Sequence, residues 1–499
     1  MDAVLVNPPE IPGHISFRDM AGGLGTSPRA SLLSELFDHM SLEQHPGPPM
    51  DLLYSAAVLE KKGINVSVID GLAMRLDATS IVGSLQKKKP GFVGVRISLP
   101  SLLSDVSLIN NIKKALPGSI VFGFGTVIKT TFEYWIDVFK GDFLIFGEPE
   151  AVIGKALTKD YRSCEGILYK DAAKKTNGSY VATSAWVYCQ DLDALPYPAW
   201  HLFPLKCYAF MRQVNNFTFY VLSSRGCPNN CSMCPYPVHH GRKWRSREPE
   251  KVVEEMVYLK KAFGAVNIQF RDPNFGMNKT RLRRICDLMT RSGYQWHWSC
   301  EVDLQDLDEE LVEMMSAAGC VKIMTGVEST DNNALGDIGQ DPKTIPRLER
   351  MIHFCKDRNI DLTGFYIVGF PSETWDSVSN TLDYAKKMDM RSVVSVMTPY
   401  HGTKLREECL KEKLINETAG FDSYNGFNCV MRSRAMDFGD VELAWKYMQS
   451  ELDYINYGLA FKKYNDMRKL GALMRMAENR IKYIPIRSMA KKKIGQSKS

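Results

Sequence analysis

The sequence predicts an α/β protein, built from two successive strand–helix series and a mainly helical C-terminal region. Two observations lead there. Short, near-continuous apolar runs recur along the chain, the pattern of parallel strands buried on both faces. Between them lie stretches with apolar residues at helical spacing, bounded by Gly, Pro and Asp. The alternation pauses near residue 160 and restarts at 217, and 499 residues exceed one ordinary core, so several domains are expected.

The first series, 1–160, starts with the apolar run Ala3–Asn7, which ends in Pro8-Pro9. Met50–Lys61 is helical, with Leu52, Leu53, Ala56, Ala57 and Leu59 recurring on one side. Val66–Ile69 is a second strand, stopped by Asp70-Gly71. Phe92–Ile97, Ile120–Phe124 and Phe143–Phe146 are three more, with helices at 77–88, 104–116 and 130–140. A doubly wound sheet of this kind holds ligands at the carboxyl ends of its strands. Those ends are Asn7-Pro8-Pro9, Asp70-Gly71, Ser98–Ser101, Gly123–Thr126 and Gly147–Glu150. No Gly-x-Gly-x-x-Gly follows the first strand, so a dinucleotide fingerprint is missing. The segment 14–49, rich in Gly, Pro, Ser and His, is long for a loop and reads as a lid or substrate-contacting insertion.

Residues 161–210 form a connector with a small hairpin, Gly166–Tyr169 and Tyr180–Ala182, and a stretch bearing proline and aromatics, Asp191–Trp200. The second series, 211–405, has strands at Thr218–Ser223, Val266–Phe270, Gln295–Glu301, Val321–Gly326, Leu362–Val368 and Val393–Thr398. Its helices are expected at 249–263, 280–292, 308–318, 343–358 and 374–388. Six βα units are too few for a closed eight-unit barrel, so a partial (β/α)6 barrel, open on one side, is expected. In 406–499 the helices are Leu443–Tyr457 and Tyr464–Tyr483. The tail after Arg487 is basic, with Lys491, Lys492, Lys493 and Lys498, and is expected to be solvated and frayed. Its mixture of Ile, Pro, Met and basic residues also suits an acidic lipid surface or an acidic protein partner.

A hydrophobic fraction of 44% and a charged fraction of 24% describe a globular chain, and a net charge of +6 over this length does not argue for nucleic acid. The segment Met1–Pro9 lacks a basic, apolar leader, and no apolar window is long enough to span a bilayer. A cytoplasmic location with reduced thiols is therefore expected. Nine of the twelve cysteines stand singly (Cys164, Cys189, Cys207, Cys286, Cys300, Cys320, Cys355, Cys409 and Cys429) and read mostly as small buried hydrophobes.

The other three cluster in Ser224-Arg225-Gly226-Cys227-Pro228-Asn229-Asn230-Cys231-Ser232-Met233-Cys234-Pro235-Tyr236, directly after the first strand of the second series. Three thiolates on one loop suit an iron–sulfur cluster or zinc. A structural zinc site would need a fourth ligand, which His239 or His240 could supply. The spacing differs from the ferredoxin runs, which supply four cysteines per cluster. Three ligands on a cubane leave one iron open to a small molecule.

The Cys-x3-Cys-x2-Cys run resembles the signature of the radical S-adenosylmethionine (SAM) enzymes. Further matches fall in order at later strand ends: Arg271-Asp272-Pro273-Asn274-Phe275, Gly326-Val327-Glu328-Ser329, Tyr366–Thr374 and Thr398–Thr403. The resemblance implies that Cys227, Cys231 and Cys234 ligate a 4Fe–4S cluster, with the open iron chelated by the methionyl group of SAM. Reduction would then release a 5′-deoxyadenosyl radical. It also implies that Met233, Asp272, Glu328, Ser329 and Gly369 contact SAM. The residue before the third cysteine is often aromatic in that family, and here it is Met233.

The first domain resembles the Rossmann-like cobalamin-binding domain that precedes the barrel in one branch of that family. The likeness rests on Val6–Pro9, Pro48–Tyr54, Asp70-Gly71 and Gly147–Glu150. The Asp-x-His-x-x-Gly motif that supplies an axial histidine elsewhere is missing. The resemblance implies cobalamin near Asp70, Gly71, Ser98, Gly123, Gly125, Gly147 and Glu148. It implies a C-methyltransferase acting from methylcobalamin on an unactivated carbon of a small-molecule, lipid, peptide or protein substrate, served by an external electron donor such as flavodoxin or ferredoxin. Cyclisation or rearrangement on the same scaffold is the alternative, and a non-catalytic cobalamin or redox sensor a third. Tyr236, His239, His240 and Tyr400 are candidates to line the cavity or simply to fill the core.

Overall fold

The apolar runs become strands in two separate sheets, one mixed and one parallel, as a computed structural model shows. It describes residues 2–11, 14, 16–18, 21–26, 47–171, 180–207, 217–265, 267–340, 345–465 and 467–497. The first sheet contains β1 (Asp2–Asn7), β2 (Asn65–Asp70), β3 (Phe92–Arg96), β4 (Ile120–Phe124) and β5 (Phe143–Ile145). The expected hairpin, β6 (Ile167–Lys170) and β7 (Tyr180–Ala182), pairs antiparallel with β5 and extends this sheet. The strand order is β2-β1-β3-β4-β5-β6-β7.

Helices α1 (Met50–Lys61), α2 (Ala78–Lys88), α3 (Leu102–Ala115), α4 (Ile128–Trp135) and α5 (Pro149–Ala156) cover both faces. Alternation along β1 shows why. Ala3 and Leu5 join the core containing Leu52, Leu53, Ala56 and Ile153 from α1 and α5. Val4 and Val6 join a second core with Ile81, Leu85, Val106 and Ile109 from α2 and α3. Each buried Val, Leu or Ile side chain contributes about 1.5–3 kcal/mol, so a one-residue slip would disturb both layers at once.

The second sheet is all parallel, in the order β15-β14-β13-β12-β11-β8. Its strands are β8 (Thr218–Val221), β11 (Asn267–Phe270), β12 (His297–Glu301), β13 (Cys320–Glu328), β14 (Asp361–Val368) and β15 (Arg391–Val396). Between β8 and β11, β9 (Ser224–Arg225) and β10 (Arg245–Ser246) form an antiparallel ribbon. The barrel helices are α6 (Tyr236–His240), α7 (Pro249–Phe263), α8 (Lys279–Arg291), α9 (Glu309–Ala317), α10 (Asn332–Asp337), α11 (Ile345–Asp357), α12 (Trp375–Met388) and α13 (Lys404–Lys411). The barrel is partial and open, with β8 and β15 as edges.

An unpaired edge invites strand addition, and here both edges are covered. Trp200 of the connector packs edge-to-face on Phe217 and Phe219 at β8. On the other side lies α14 (Phe438–Lys463). Its Asn456 accepts a hydrogen bond from Ser392 N (2.9 Å) and donates one to Ser392 O (2.7 Å), and Trp445 Nε1 donates to Val394 O (3.3 Å). Side chains of the helix thereby replace the missing neighbour strand.

Two more helices follow, α15 (Met467–Lys482) and α16 (Ile484–Ser497). The frayed tail expected after Arg487 is instead helix to Ser497. Long-range partners fix it: Arg487 pairs with Glu451 at 2.6 Å and donates to Ser450 O at 3.1 Å, and Lys493 pairs with Asp440 at 2.8 Å. Among the described residues no helix is long and apolar enough to cross a membrane. The single cysteines Cys286, Cys300, Cys320, Cys355 and Cys409 are core residues, as expected.

Candidate active site

The cysteine loop is a long excursion between β9 and β10, whose pairing ties its two ends together. Gly226 makes the entry turn at φ 81°, and an added Cβ there would overlap the Lys243 carbonyl oxygen. Cys227 N then donates to Gly241 O at 3.1 Å. The middle is held from two sides: Ser232 N donates to Ile338 O (2.8 Å), and Leu405 N donates to Ser232 O (3.1 Å). Met233 packs against a small core containing Leu335, Phe370 and Met397. Gly226→Ala is expected to displace Cys227 and lower iron bound per chain several-fold in a chain that still folds, as measured by iron assay after reconstitution.

The thiols are close enough to sense one another. Burial pushes Cys234 up to about 12, and Cys231 and Cys227 add to this. Burial, and more weakly Cys231, also raises Cys227. Gln340 Nε2 lies 3.6 Å from Cys231 Sγ as a donor. Three thiolates here need a strongly cationic centre to stay ionised, and a soft donor set of this kind fits iron–sulfur. Of the two histidines that could have completed a zinc site, His240 is engaged elsewhere. His240 Nδ1 is 3.1 Å from Glu148 Oε1 and its Nε2 3.2 Å from Gly22 O, while His239 is fully buried. Among the described residues no three or more His, Cys, Asp or Glu are arranged around a single metal ion. Tyr236 packs against His240 with ring centroids 4.6 Å apart and planes tilted by 34°, and Tyr400 is buried.

The later motifs all reach the carboxyl rim of the barrel, with different roles. Asp272 follows β11 and is buried. It accepts hydrogen bonds from Ser223 Oγ (3.0 Å) and Ser224 Oγ (2.7 Å), so it braces the entry to the cysteine loop. Glu328 ends β13 beyond a register shift, at φ 63°, a left-handed conformation that bulky residues avoid. Its carboxylate folds back over Gly326. The Ser329 hydroxyl turns inward, 3.3 Å from Thr381 Oγ1, and accepts from Asp331 N at 3.1 Å. Glu301, at the end of β12, went unnoticed in the sequence although it stands in the same row of strand ends. Burial and neighbouring Glu328 raise it to about 7 against the pull of Arg271.

Gly369 turns at φ 99°, and Val441 of α14 packs over it. Buried Glu373 holds this loop by accepting from Gly369 N (2.5 Å), Phe370 N (3.4 Å) and Ser377 Oγ (3.1 Å). Burial nevertheless raises its pKa to about 7. The folded chain therefore holds this proton more tightly than the unfolded chain. The stabilisation is complete below about pH 4.5 and is lost as pH rises through about 7. Glu373→Gln, always neutral, is expected to flatten stability across that window by up to about 3 kcal/mol, read from urea unfolding at several pH values.

At the facing edge of the first domain, Asp70 is buried and accepts from Asn7 Nδ2 (2.8 Å) and Ala73 N (3.0 Å), so it shapes its own turn. Gly71 N donates to Asn7 O at 2.8 Å. Gly123 packs among Ile97, Ile109 and Leu144, within the sheet's core. Gly125 makes a tight turn at φ 144°, against the Ile97 carbonyl. Gly147 lies against Val187. Strand order reverses between β1 and β3, which is where such a sheet opens a crevice. Arg18, from the insertion, sits there. It donates to Pro9 O (2.8 Å), Ser98 Oγ (3.0 Å) and Ser101 Oγ (3.1 Å) and pairs with Asp105 (3.1 Å). Of the expected lid at 14–49, residues 16–18 and 21–26 therefore lie over the carboxyl edge, and residues 15, 19–20 and 27–46 lie outside the described residues. Asn7 Oδ1 and Thr126 Oγ1, buried at this edge, have no hydrogen-bond partner among the described residues.

Glu148 joins the two domains. Its carboxylate meets Arg245 (2.9 Å), Arg225 (3.3 Å), His240 (3.1 Å) and Cys189 N (2.7 Å). Arg225 pairs also with Glu150. Glu148, Glu150, Arg225 and Arg245 are all buried. Burial opposes the charge on Glu148, but Arg225, Arg245 and His240 prevail and hold its pKa well below the usual carboxylate range. Both arginines come from the ribbon at the base of the cysteine loop. The carboxyl ends of the two sheets are thus bolted face to face.

The sequence profile described as the Radical SAM superfamily matches residues 221–385. A protein named as an uncharacterized methyltransferase of Pyrococcus horikoshii is 28% identical over 393 residues, 77% of this chain and 83% of that one. An anaerobic magnesium-protoporphyrin IX monomethyl ester cyclase of Rubrivivax gelatinosus is 25% identical over 415 residues, 79% of this chain and 71% of that one. Among solved structures, the radical SAM methyltransferase TsrM of Kitasatospora setae, with cobalamin and a [4Fe-4S] cluster bound, superposes with a TM-score of 0.66. That match covers 96% of this chain and 99% of TsrM at 16% identity, which establishes a shared fold.

Proposed function

With residues 221–385 a radical SAM domain, we propose that the chain is a cobalamin-dependent radical SAM C-methyltransferase. The observation that supports this most is the Glu148 joint, which sets the cysteine loop of one sheet opposite the Gly- and Pro-rich edge of the other. A substrate between them would be in reach of both cofactors, and placement is what the protein must supply.

Cys227, Cys231 and Cys234 hold the 4Fe–4S cluster in this reading. Met233, Glu328, Glu301 and the Gly369 loop surround SAM, with Asp272 and Ser329 bracing the rim behind them. The edge formed by Asn7, Asp70, Gly71, Ser98, Gly125, Thr126 and Gly147 takes the cobalamin, whose side-chain amides suit the unpartnered Asn7 and Thr126 oxygens, while Gly123 lies deeper, in the sheet's core. Glu148 anchors that edge without needing to touch the corrin. When bound, these groups supply radical initiation and a transferable methyl. Reducing equivalents come from an external donor such as flavodoxin or ferredoxin, in a cytoplasmic setting.

Incubation of the reconstituted chain with methyl-labelled SAM, a reductant and candidate substrates tests this. Labelled product, with one S-adenosylhomocysteine and one 5′-deoxyadenosine per methyl transferred, is expected. Likeness to the cyclase over 79% of the chain favours a second reading, oxidative cyclisation. Unlabelled, rearranged product would select it.

A further inference from the structure

We infer that the C-terminal helices dock on an anionic lipid surface. The motif is a helix whose polarity is inverted within the chain. In α15, Arg475 and Asn479 are turned inward, each 4% exposed. Arg475 lies over the Tyr457 ring, and Asn479 accepts from Arg487 Nη2 at 2.6 Å. The outer face is apolar. Leu470, Leu473, Met474 and Ile481 recur at helical spacing, with Leu473 50% and Ile481 73% exposed. Ile484 and Met489 continue the exposed apolar surface onto α16. A 16-residue helix is about 24 Å long, so this is an extended patch.

Charge identifies the occupant. Residues 467–497 hold nine Lys and Arg and a single acid, Glu478. Arg480, Lys482, Lys491 and Lys492 are exposed around the stripe. Two copies of so basic a face would repel each other across an apolar contact. An anionic bilayer offers apolar depth beneath a negative surface, which matches both halves of the pattern. Docking there would bring the barrel to a membrane. The inference does not depend on the reaction catalysed.

Flotation of the full chain with vesicles tests it. Vesicles of phosphatidylcholine with about a third phosphatidylglycerol should carry the chain, pure phosphatidylcholine should not, and salt should release it. Leu473→Glu with Met474→Glu is expected to lower the bound fraction at least tenfold. Lys491→Glu with Lys492→Glu should weaken partitioning about fivefold per lysine, or more. Leu103→Glu, at an exposed leucine of α3, should leave binding intact. Circular dichroism and cluster content verify folding of each variant. Absence of flotation at low salt overturns the inference. So does binding that survives both double variants, or light scattering that shows a dimer abolished by the Leu473/Met474 pair in a chain that ignores vesicles.

Discussion

Cys231→Ala is expected to abolish cluster binding and to lower 5′-deoxyadenosine formation by on the order of a thousandfold or more, while leaving the fold intact. The two parts separate because the loop does not depend on this side chain. Its backbone is held by the β9–β10 pairing and by the hydrogen bonds of Ser232 to Ile338 and Leu405. Cys231 itself is only partly buried, and its described side-chain contact is the long one from Gln340. The thermal melt of the cofactor-free chain should therefore move little. Iron content and the cluster's visible absorption should fall together with activity. Cys409→Ala, at a buried thiol outside the loop, should keep the full cluster signal and serves as the comparison for stability alone. A Cys231→Ala chain that retains both cluster and activity would remove this loop from the reaction.

Glu148→Ala should have the largest effect on stability. It leaves Arg225 and Arg245, both under 10% exposed, with Glu150 as the remaining acid in the joint. Breaking a buried ion network by removing one partner typically costs about 3–5 kcal/mol, because an uncompensated charge stays behind. The Cys189 amide also loses its acceptor. The loss should appear as a lower urea midpoint and as reduced iron loading, since both arginines stand at the base of the cysteine loop. Arg245→Met added to Glu148→Ala should recover part of the midpoint, and a double-mutant cycle measures the coupling. The pH dependence has the opposite sign to that of Glu373. With its pKa held below the ordinary 4.5, Glu148 stabilises the folded chain above that value, and the contribution fades as pH falls further.

Local patterning made the strand–helix alternation legible. The helix expected at 249–263 is α7 residue for residue, and the strand expected at Ile120–Phe124 is β4. Motifs at strand ends were legible for the same reason, since Asp272, Glu328 and Gly369 each follow an apolar run. What local pattern cannot express is a partner far along the chain. Gly147–Glu150 reads as a ligand loop, yet Glu148 meets Arg245, 97 residues later. Arg18 lies in a polar, low-periodicity insertion, and nothing nearby announces that it reaches Asp105, 87 residues on. The tail after Arg487 looks like a solvated basic end until Glu451 and Asp440 are seen beside it. In each case a buried or tethered charge found its counterpart only through tertiary folding.

The clasp of Asn456 and Trp445 on β15 bears on how the protein can be shortened. The C-terminal region looks dispensable, lying outside the matched domain at 221–385. Cutting the chain before Asp437 would strip α14 from the sheet and leave the β15 backbone open to any neighbour. Chains would then zip together edge to edge and be lost as aggregate. A lineage can vary what these last helices touch, but it cannot discard the first of them without giving the barrel another seal.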